Sequence, residues 1–316
     1  HTRTCTHTHA RTHQLLCAGT HKQHKRTHTN TQTQTHTWHP LTFKFVTCCC
    51  FAVPSPLVFF VCFFASQRLP VCVQFLSDSS SDCEEFVCMT FSPDSKYLVT
   101  LGGAPEWYMH YWAWEKSQGP MAVTKCSLDP TIPVYRVTFN PQDNTHLCVT
   151  GNNTLKMFRY TEGNFKQLAF QKIEGHDYLS QCWLAEDAVV CGTAAGKVFL
   201  FVGGELKTEM NVSEPVTFVA ALNNGFACGT GAGNLLVYEA TEDDELYKQA
   251  QEVPVPSDIA NTTQSIHCIA VSPSEDTLIC TTKEGQIYSH HLAASESEIL
   301  RVRSLCIVFV GRGLCR

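Results

Sequence analysis

Four stretches of the chain superimpose from a shared cysteine: 148–158 (CVTGNNTLKMF), 191–201 (CGTAAGKVFLF), 228–238 (CGTGAGNLLVY) and 280–290 (CTTKEGQIYSH). Five residues on from each cysteine stands Asn153, Gly196, Gly233 or Gly285, and seven on stands Leu155, Val198, Leu235 or Ile287. Gly or Asn supplies the positive φ that a tight turn requires, and an alternating apolar strand follows. Each stretch therefore predicts a β-hairpin. The cysteines recur after 43, 37 and 52 residues, so each hairpin belongs to a module of roughly 40–50 residues that buries its apolar face only by stacking on its neighbours.

The flanking pattern extends each hairpin to four strands. The first module reads 86–91, 97–100, 107–114 and 121–127, with Ser92-Pro93-Asp94-Ser95-Lys96 as its first turn. The second reads 134–139, 146–150, 154–160 and 166–171, and the third 179–184, 188–192, 197–201 and 206–210. The fourth reads 216–221, 225–228, 234–238 and 247–251. The fifth has 266–271, 278–281 and 286–291, and its outer strand is expected to be missing. Four-stranded modules of this period are the blades of a β-propeller. The prediction is an all-β, incomplete propeller of about five four-stranded blades, whose end blades leave strand edges and apolar faces uncovered.

Composition divides the chain in three. Residues 1–80 hold 7 Lys/Arg and 1 acid; residues 81–299 hold 12 Lys/Arg against 28 Asp/Glu, a formal charge of −16; residues 300–316 hold 4 Arg and no acid. An acidic middle argues against nucleic acid as a partner. Nine of the 15 histidines lie in the first 40 positions, in a Thr/His alternation that a CACACA repeat encodes. Residues 1–74 are therefore expected to be disordered, non-native translated intron, 75–299 the partial propeller, and 300–316 a non-native basic tail. The apolar run 43–65 has the length of a membrane span, but Lys44, Pro54 and Pro56 interrupt it, so no span is expected.

The 18 cysteines raise disulfide and metal chemistry, but the repeat register assigns them to buried, reduced packing. Outside the ends there is no CxxC pair. Gly229-Thr230-Gly231-Ala232-Gly233 occupies the hairpin-turn register and lacks the Lys-Ser/Thr of a phosphate loop. His110, His146, His176, His267, His290 and His291 have no metal-ligand spacing, and adjacent strand residues such as His290 and His291 point to opposite faces. The first strands read as apolar, with no paired acids in register. No catalytic residue, cofactor site or metal site is expected, and no small-molecule substrate.

The segment 86–293 resembles WD40 proteins, and within them the amino-terminal propeller of the cilia- and flagella-associated WD-repeat proteins. The resemblance rests on FSPDSKYL at 91–98, YWAWEK at 111–116, PQDNT at 141–145 with CVTGN at 148–152, and GKVFLF at 196–201. The Trp-Asp dipeptide that names the repeat is absent; Trp114-Glu115, Phe158-Arg159, Phe201-Val202, Tyr238-Glu239 and His290-His291 stand in its place. The resemblance implies a non-enzymatic scaffold of the ciliary or flagellar axoneme, with axonemal proteins as partners and a role in assembling or regulating inner dynein arms. A generic cytosolic WD40 adaptor shares the same residues and is the rival reading.

Overall fold

The computed structural model describes residues 45–50, 57–64, 71–78 and 85–300, apart from 117–118, 172, 186, 243–245 and 256–263. All of these lie in the unit Phe43–Arg316; the unit His1–Thr42 is outside the described residues, as is the tail 301–316. Every regular element described is a β-strand.

β1 (Phe45–Cys50), β2 (Leu57–Phe64) and β3 (Val71–Asp78) form a three-stranded antiparallel sheet in that order. Five four-stranded antiparallel sheets follow, each a meander. Blade one is β4 (Phe86–Phe91), β5 (Leu98–Gly102), β6 (Tyr108–Trp112) and β7 (Ala122–Lys125). Blade two is β8 (Val134–Asn140), β9 (Asp143–Gly151), β10 (Thr154–Thr161) and β11 (Asn164–Gln167). Blade three is β12 (Tyr178–Trp183), β13 (Ala188–Thr193), β14 (Lys197–Val202) and β15 (Glu205–Asn211). Blade four is β16 (Val216–Leu222), β17 (Gly225–Thr230), β18 (Asn234–Ala240) and β19 (Tyr247–Pro254). Blade five is β20 (Ile266–Val271), β21 (Thr277–Thr282), β22 (Ile287–His291) and β23 (Glu296–Leu300). The fifth blade thus has the outer strand that the sequence pattern leaves out: β23 pairs with β22 from His291↔Glu296 to Ile287↔Leu300. The expected boundary between residues 74 and 75 falls inside β3.

Local chemistry explains the turns. Ser92 Oγ donates to Asp94 Oδ1 (2.7 Å) and accepts from the Tyr97 amide (2.9 Å). Ser272 repeats this with Asp276 (2.8 Å) and the Thr277 amide (3.1 Å). The four repeat positions all have positive φ: Asn153 45°, Gly196 73°, Gly233 95° and Gly285 87°. Glu162-Gly163 makes a two-residue turn with φ of 50° and 83°. It starts β11 at Asn164, two residues before the expected start of that strand.

Blades pack face to face in series, with β4 against β8, β8 against β12, β12 against β16 and β16 against β20; the propeller is not closed. Four apolar clusters fill these interfaces. Tyr111, Val137 and Leu147 join blades one and two. Tyr178, Phe199 and Met157 join two and three, Val190, Leu200 and Phe226 three and four, and Phe218, Val237 and Tyr288 four and five. β13 and β17, covered on both faces, are buried at every residue. β21 has a neighbour on one side, and its burial alternates: Leu278, Cys280 and Thr282 are buried against blade four, whereas Thr277, Ile279 and Thr281 are half-buried. On the first blade the corresponding face is covered, because Leu76 of β3 is buried against Leu98, Trp112 and Trp114.

One expectation needs correction. The shared cysteines do not occupy one equivalent position. Cys191 and Cys228 face the preceding blade, in the clusters of blades two–three and three–four, and Cys280 faces blade four. Cys148 faces the following blade, beside Tyr178 and Trp183. The hairpin of blade two pairs Gly151 with Thr154 across a two-residue turn, so Cys148 opposes Met157, nine residues on. In the other three, the cysteine opposes Phe199, Leu236 or Tyr288, eight residues on. A one-residue difference in turn register moves the second strand by one position, and one position reverses the face of every side chain. Val149, not Cys148, is the structural counterpart of Cys191. The eight cysteines whose side chains are described are all free. Burial pushes Cys126, Cys182 and Cys280 up to about 12, so they stay protonated and pack as small apolar groups.

Candidate functional site

The innermost strand of each blade carries a β-bulge at the same place. The unpaired residues are Val87, Tyr135, Leu179, Thr217 and His267, the second residue of β4, β8, β12, β16 and β20 respectively. A bulge bends its strand and re-aims the side chains that follow. The first residue after each bulge is Cys88, Arg136, Ser180, Phe218 or Cys268, so five blades contribute one register position at the inner edge.

Arg136 ties this layer together. Its Nη1 donates to Ser180 Oγ at 2.9 Å, and its Cζ stands 4.1 Å from the centroid of the Phe218 ring. Ser180 Oγ also accepts from the Val219 amide at 3.0 Å, which fixes the hydroxyl in place. The guanidinium is close enough to Cys88, Cys182 and Cys268 to favour their thiolates, yet burial prevails and each thiol stays above its ordinary value. These thiols are therefore weak nucleophiles at neutral pH. The expectation of apolar inner strands missed Arg136. Its sequence signal is a single Arg two residues into the strand 134–140, visible only once the bulges put it in line with Cys88, Ser180, Phe218 and Cys268.

A second polar cluster joins blades two and three at the other end of β8. Asn140 Nδ2 donates to Asp187 Oδ1, and the His146 ring lies 3.8 Å from the same oxygen and 4.9 Å from the Trp183 ring centroid. That separation exceeds a hydrogen bond, and both ring nitrogens are buried without a partner. Burial lowers the His146 pKa; Asp187 and Asp143 pull it up and Arg159 pushes it further down. His290 is likewise lowered, by burial and then by His291. An unfolded chain takes up protons near pH 6.5 that these folded imidazoles refuse, so stability is full above that pH and falls as pH drops below it. His146→Phe is expected to reduce this loss, by up to about 1.4 kcal/mol per pH unit for one group. Urea midpoints at pH 7.5 and 5.5 measure it.

Between blades four and five, a groove of about 490 Å³ is lined by Leu222, Val237, Leu292, Glu239, Gln251 and Glu275. Residues 212–300 carry 13 Asp/Glu and 2 Lys, so this half of the propeller holds most of the negative charge. His290 is buried and His291 exposed, on opposite faces of β22. Among the described residues, no three His, Cys, Asp or Glu side chains gather as metal ligands. No helix among them is long and apolar enough to cross a membrane.

The repeated meanders and their serial stacking define a WD40-type β-propeller. The β-propeller domain of Myceliophteria thermophila Cps50 (Swd1) matches with a TM-score of 0.64 over 82% of this chain and 87% of that one, at 11% identity. In sequence, the chain is homologous to cilia- and flagella-associated protein 57. The mouse protein is 32% identical over 273 residues, covering 70% of this chain and 22% of the relative. Protein 57 A of Tetrahymena thermophila is 24% identical over 245 residues, covering 71% of this chain and 19% of the relative. The chain therefore spans about a fifth of the length of these relatives. No family model matches it. In blade one, Trp112 Nε1 donates to Thr100 Oγ1 at 3.0 Å, a buried bond from β6 to β5.

Proposed function

We propose that this chain is a non-catalytic, protein-binding scaffold of the cilium or flagellum, seated on the axoneme, where it helps assemble or regulate inner dynein arms. The observation that supports this most is the homology to cilia- and flagella-associated protein 57 across 70% of the chain. The fold is consistent with it. Stacked blades present turns and edges from several modules at once, a surface suited to holding more than one protein. The inner edge offers protonated thiols and one Arg rather than an acid–base pair, which suits binding better than catalysis.

Fractionation tests the reading. The tagged chain expressed in ciliated cells is expected to stay with demembranated axonemes and to leave them in high salt together with inner-arm dyneins. Its removal is expected to lower inner-arm heavy-chain content and beat frequency. Recovery only in the detergent-soluble fraction, with inner arms unchanged on its removal, would reject the axonemal role and leave a soluble WD40 adaptor.

A further inference from the structure

We propose that the layer around Arg136 is an oxyanion site that takes a carboxylate or phosphate carried on an extended peptide of a binding partner. The proposal rests on the scaffold reading for the kind of ligand and on the geometry for its chemistry.

Four observations carry it. First, Arg136 has no carboxylate partner among the described residues, where the ion pairs found are Lys96–Asp94, Lys125–Glu106, Arg159–Asp143, Lys197–Glu209 and Lys207–Glu205. Second, β4, β8, β12, β16 and β20 contain no Asp or Glu at all, although residues 81–299 have a formal charge of −16. The inner strands carry no acid and a cation stands among them; Asp177, just before β12, accepts from the Tyr135 hydroxyl at 3.4 Å and makes no ion pair with Arg136. Third, the guanidinium is pre-positioned. Ser180 Oγ engages Nη1 at 2.9 Å and the Phe218 ring backs Cζ at 4.1 Å. One hydrogen bond and one ring face leave most of the five N–H donors unspent, and the planar fork matches an oxyanion in a two-point contact. Fourth, Arg136, Ser180 and Phe218 each directly follow the bulge of their inner strand, and bulges re-aim side chains beside functional sites.

Half-burial at the inner edge lowers the local dielectric and strengthens attraction for an anion relative to open solvent. Free phosphate or acetate would gain little, because each must give up its hydration for one cation. A peptide adds backbone contacts along the bulged strands, so the charged group is the anchor and the chain around it supplies area.

The test uses the full chain and three fluorescein-labelled capped peptides, Gly-Ser-Glu-Ser-Gly, its phosphoserine counterpart with phosphoserine in place of Glu, and its Gln counterpart. Fluorescence anisotropy is expected to show binding of the Glu or the phosphoserine peptide and not of the Gln peptide, and which of the two binds more tightly names the oxyanion. Arg136→Gln is expected to weaken binding at least ~10-fold, which is about 1.4 kcal/mol, and Arg136→Lys to fall between, because a point charge replaces the fork. Phenylglyoxal labelling of the unaltered protein, mapped by mass spectrometry, gives a readout independent of how the variants fold: the bound peptide protects Arg136 and leaves Arg159 reactive. Equal binding of the Gln peptide, unchanged binding by folded Arg136→Gln, or no protection of Arg136 overturns the site. Failure of the unaltered chain to bind either anionic peptide, with axonemal sedimentation intact, rejects this site alone; failure of the unaltered chain to sediment with axonemes rejects the scaffold reading.

Discussion

Phe199→Ala is expected to destabilise the propeller by about 3–5 kcal/mol, the range for emptying a fully buried aromatic position. Phe199 is 0% exposed. It sits on β14 opposite Cys191 and Glu209, and its ring reaches across to His176 at 4.9 Å and Tyr178 at 6.1 Å. The space it fills lies between blades two and three, with Cys148 and Met157 on the far wall. Neither wall can collapse inward freely, because each belongs to a sheet held by its own ladder and by a second neighbouring blade. That rigidity places the cost at the upper end rather than the lower. Leu128→Ala truncates an apolar side chain that is 84% exposed, and its effect is expected within about 0.5 kcal/mol. Urea denaturation followed by tryptophan fluorescence compares the two. A lower midpoint with unchanged slope for Phe199→Ala reports lost stability; a changed slope reports blades that unfold separately. A midpoint shift no larger than that of Leu128→Ala would mean that the two–three interface does not hold the fold.

How much of this was legible in the sequence depends on which residues are asked. β4 and β20 begin and end where the apolar pattern places them, because Pro93 and Pro273 stand in turns that cut the strands sharply. The positive φ at Asn153, Gly196, Gly233 and Gly285 was readable because Gly and Asn adopt that conformation at least cost, whereas Glu162 adopts it without such a signal. Cys148 misled because the alignment was anchored on residue identity. The Asn152-Asn153 turn differs from its counterparts by one residue in register, and only the pairing Gly151↔Thr154 reveals the shift. β23 was missed because ESEIL mixes charged and apolar residues and sits at an edge, where burial does not impose alternation. Arg136 was missed for a different reason. Its partners Ser180 and Phe218 are 44 and 82 residues away along the chain, and the bulges that bring them together leave no compositional trace. Local rules determine strands and turns, and the inner edge is a property of how blades stack.

The same contrast between local and non-local demands sets the expected result at Gly196. Replacing it with Ala is expected to cost about 3 kcal/mol or more, whereas Gly163→Ala costs only about 1–2 kcal/mol. Both glycines have positive φ, 73° and 83°. Around Gly163 there is open space, so an added methyl meets only its own backbone strain. At Gly196 a methyl would collide with the Val212 carbonyl oxygen and approach the Glu214 carbonyl oxygen at 2.9 Å. Those atoms belong to the connection from β15 to β16, which carries the chain from blade three to blade four. The Gly196 carbonyl also accepts the Val212 amide at 2.6 Å, so the connection is drawn against the turn. Moving it away to admit a methyl would break that bond and displace Val216, whose side chain packs against Gly192 in blade three. The turn glycine therefore serves two purposes, one conformational and readable from the repeat, the other a close approach between blades. Equal midpoint shifts for the two variants in urea would show that only the conformational purpose matters. A larger shift for Gly196→Ala, accompanied by faster amide exchange in β16, would show that the turn clamps one blade to the next.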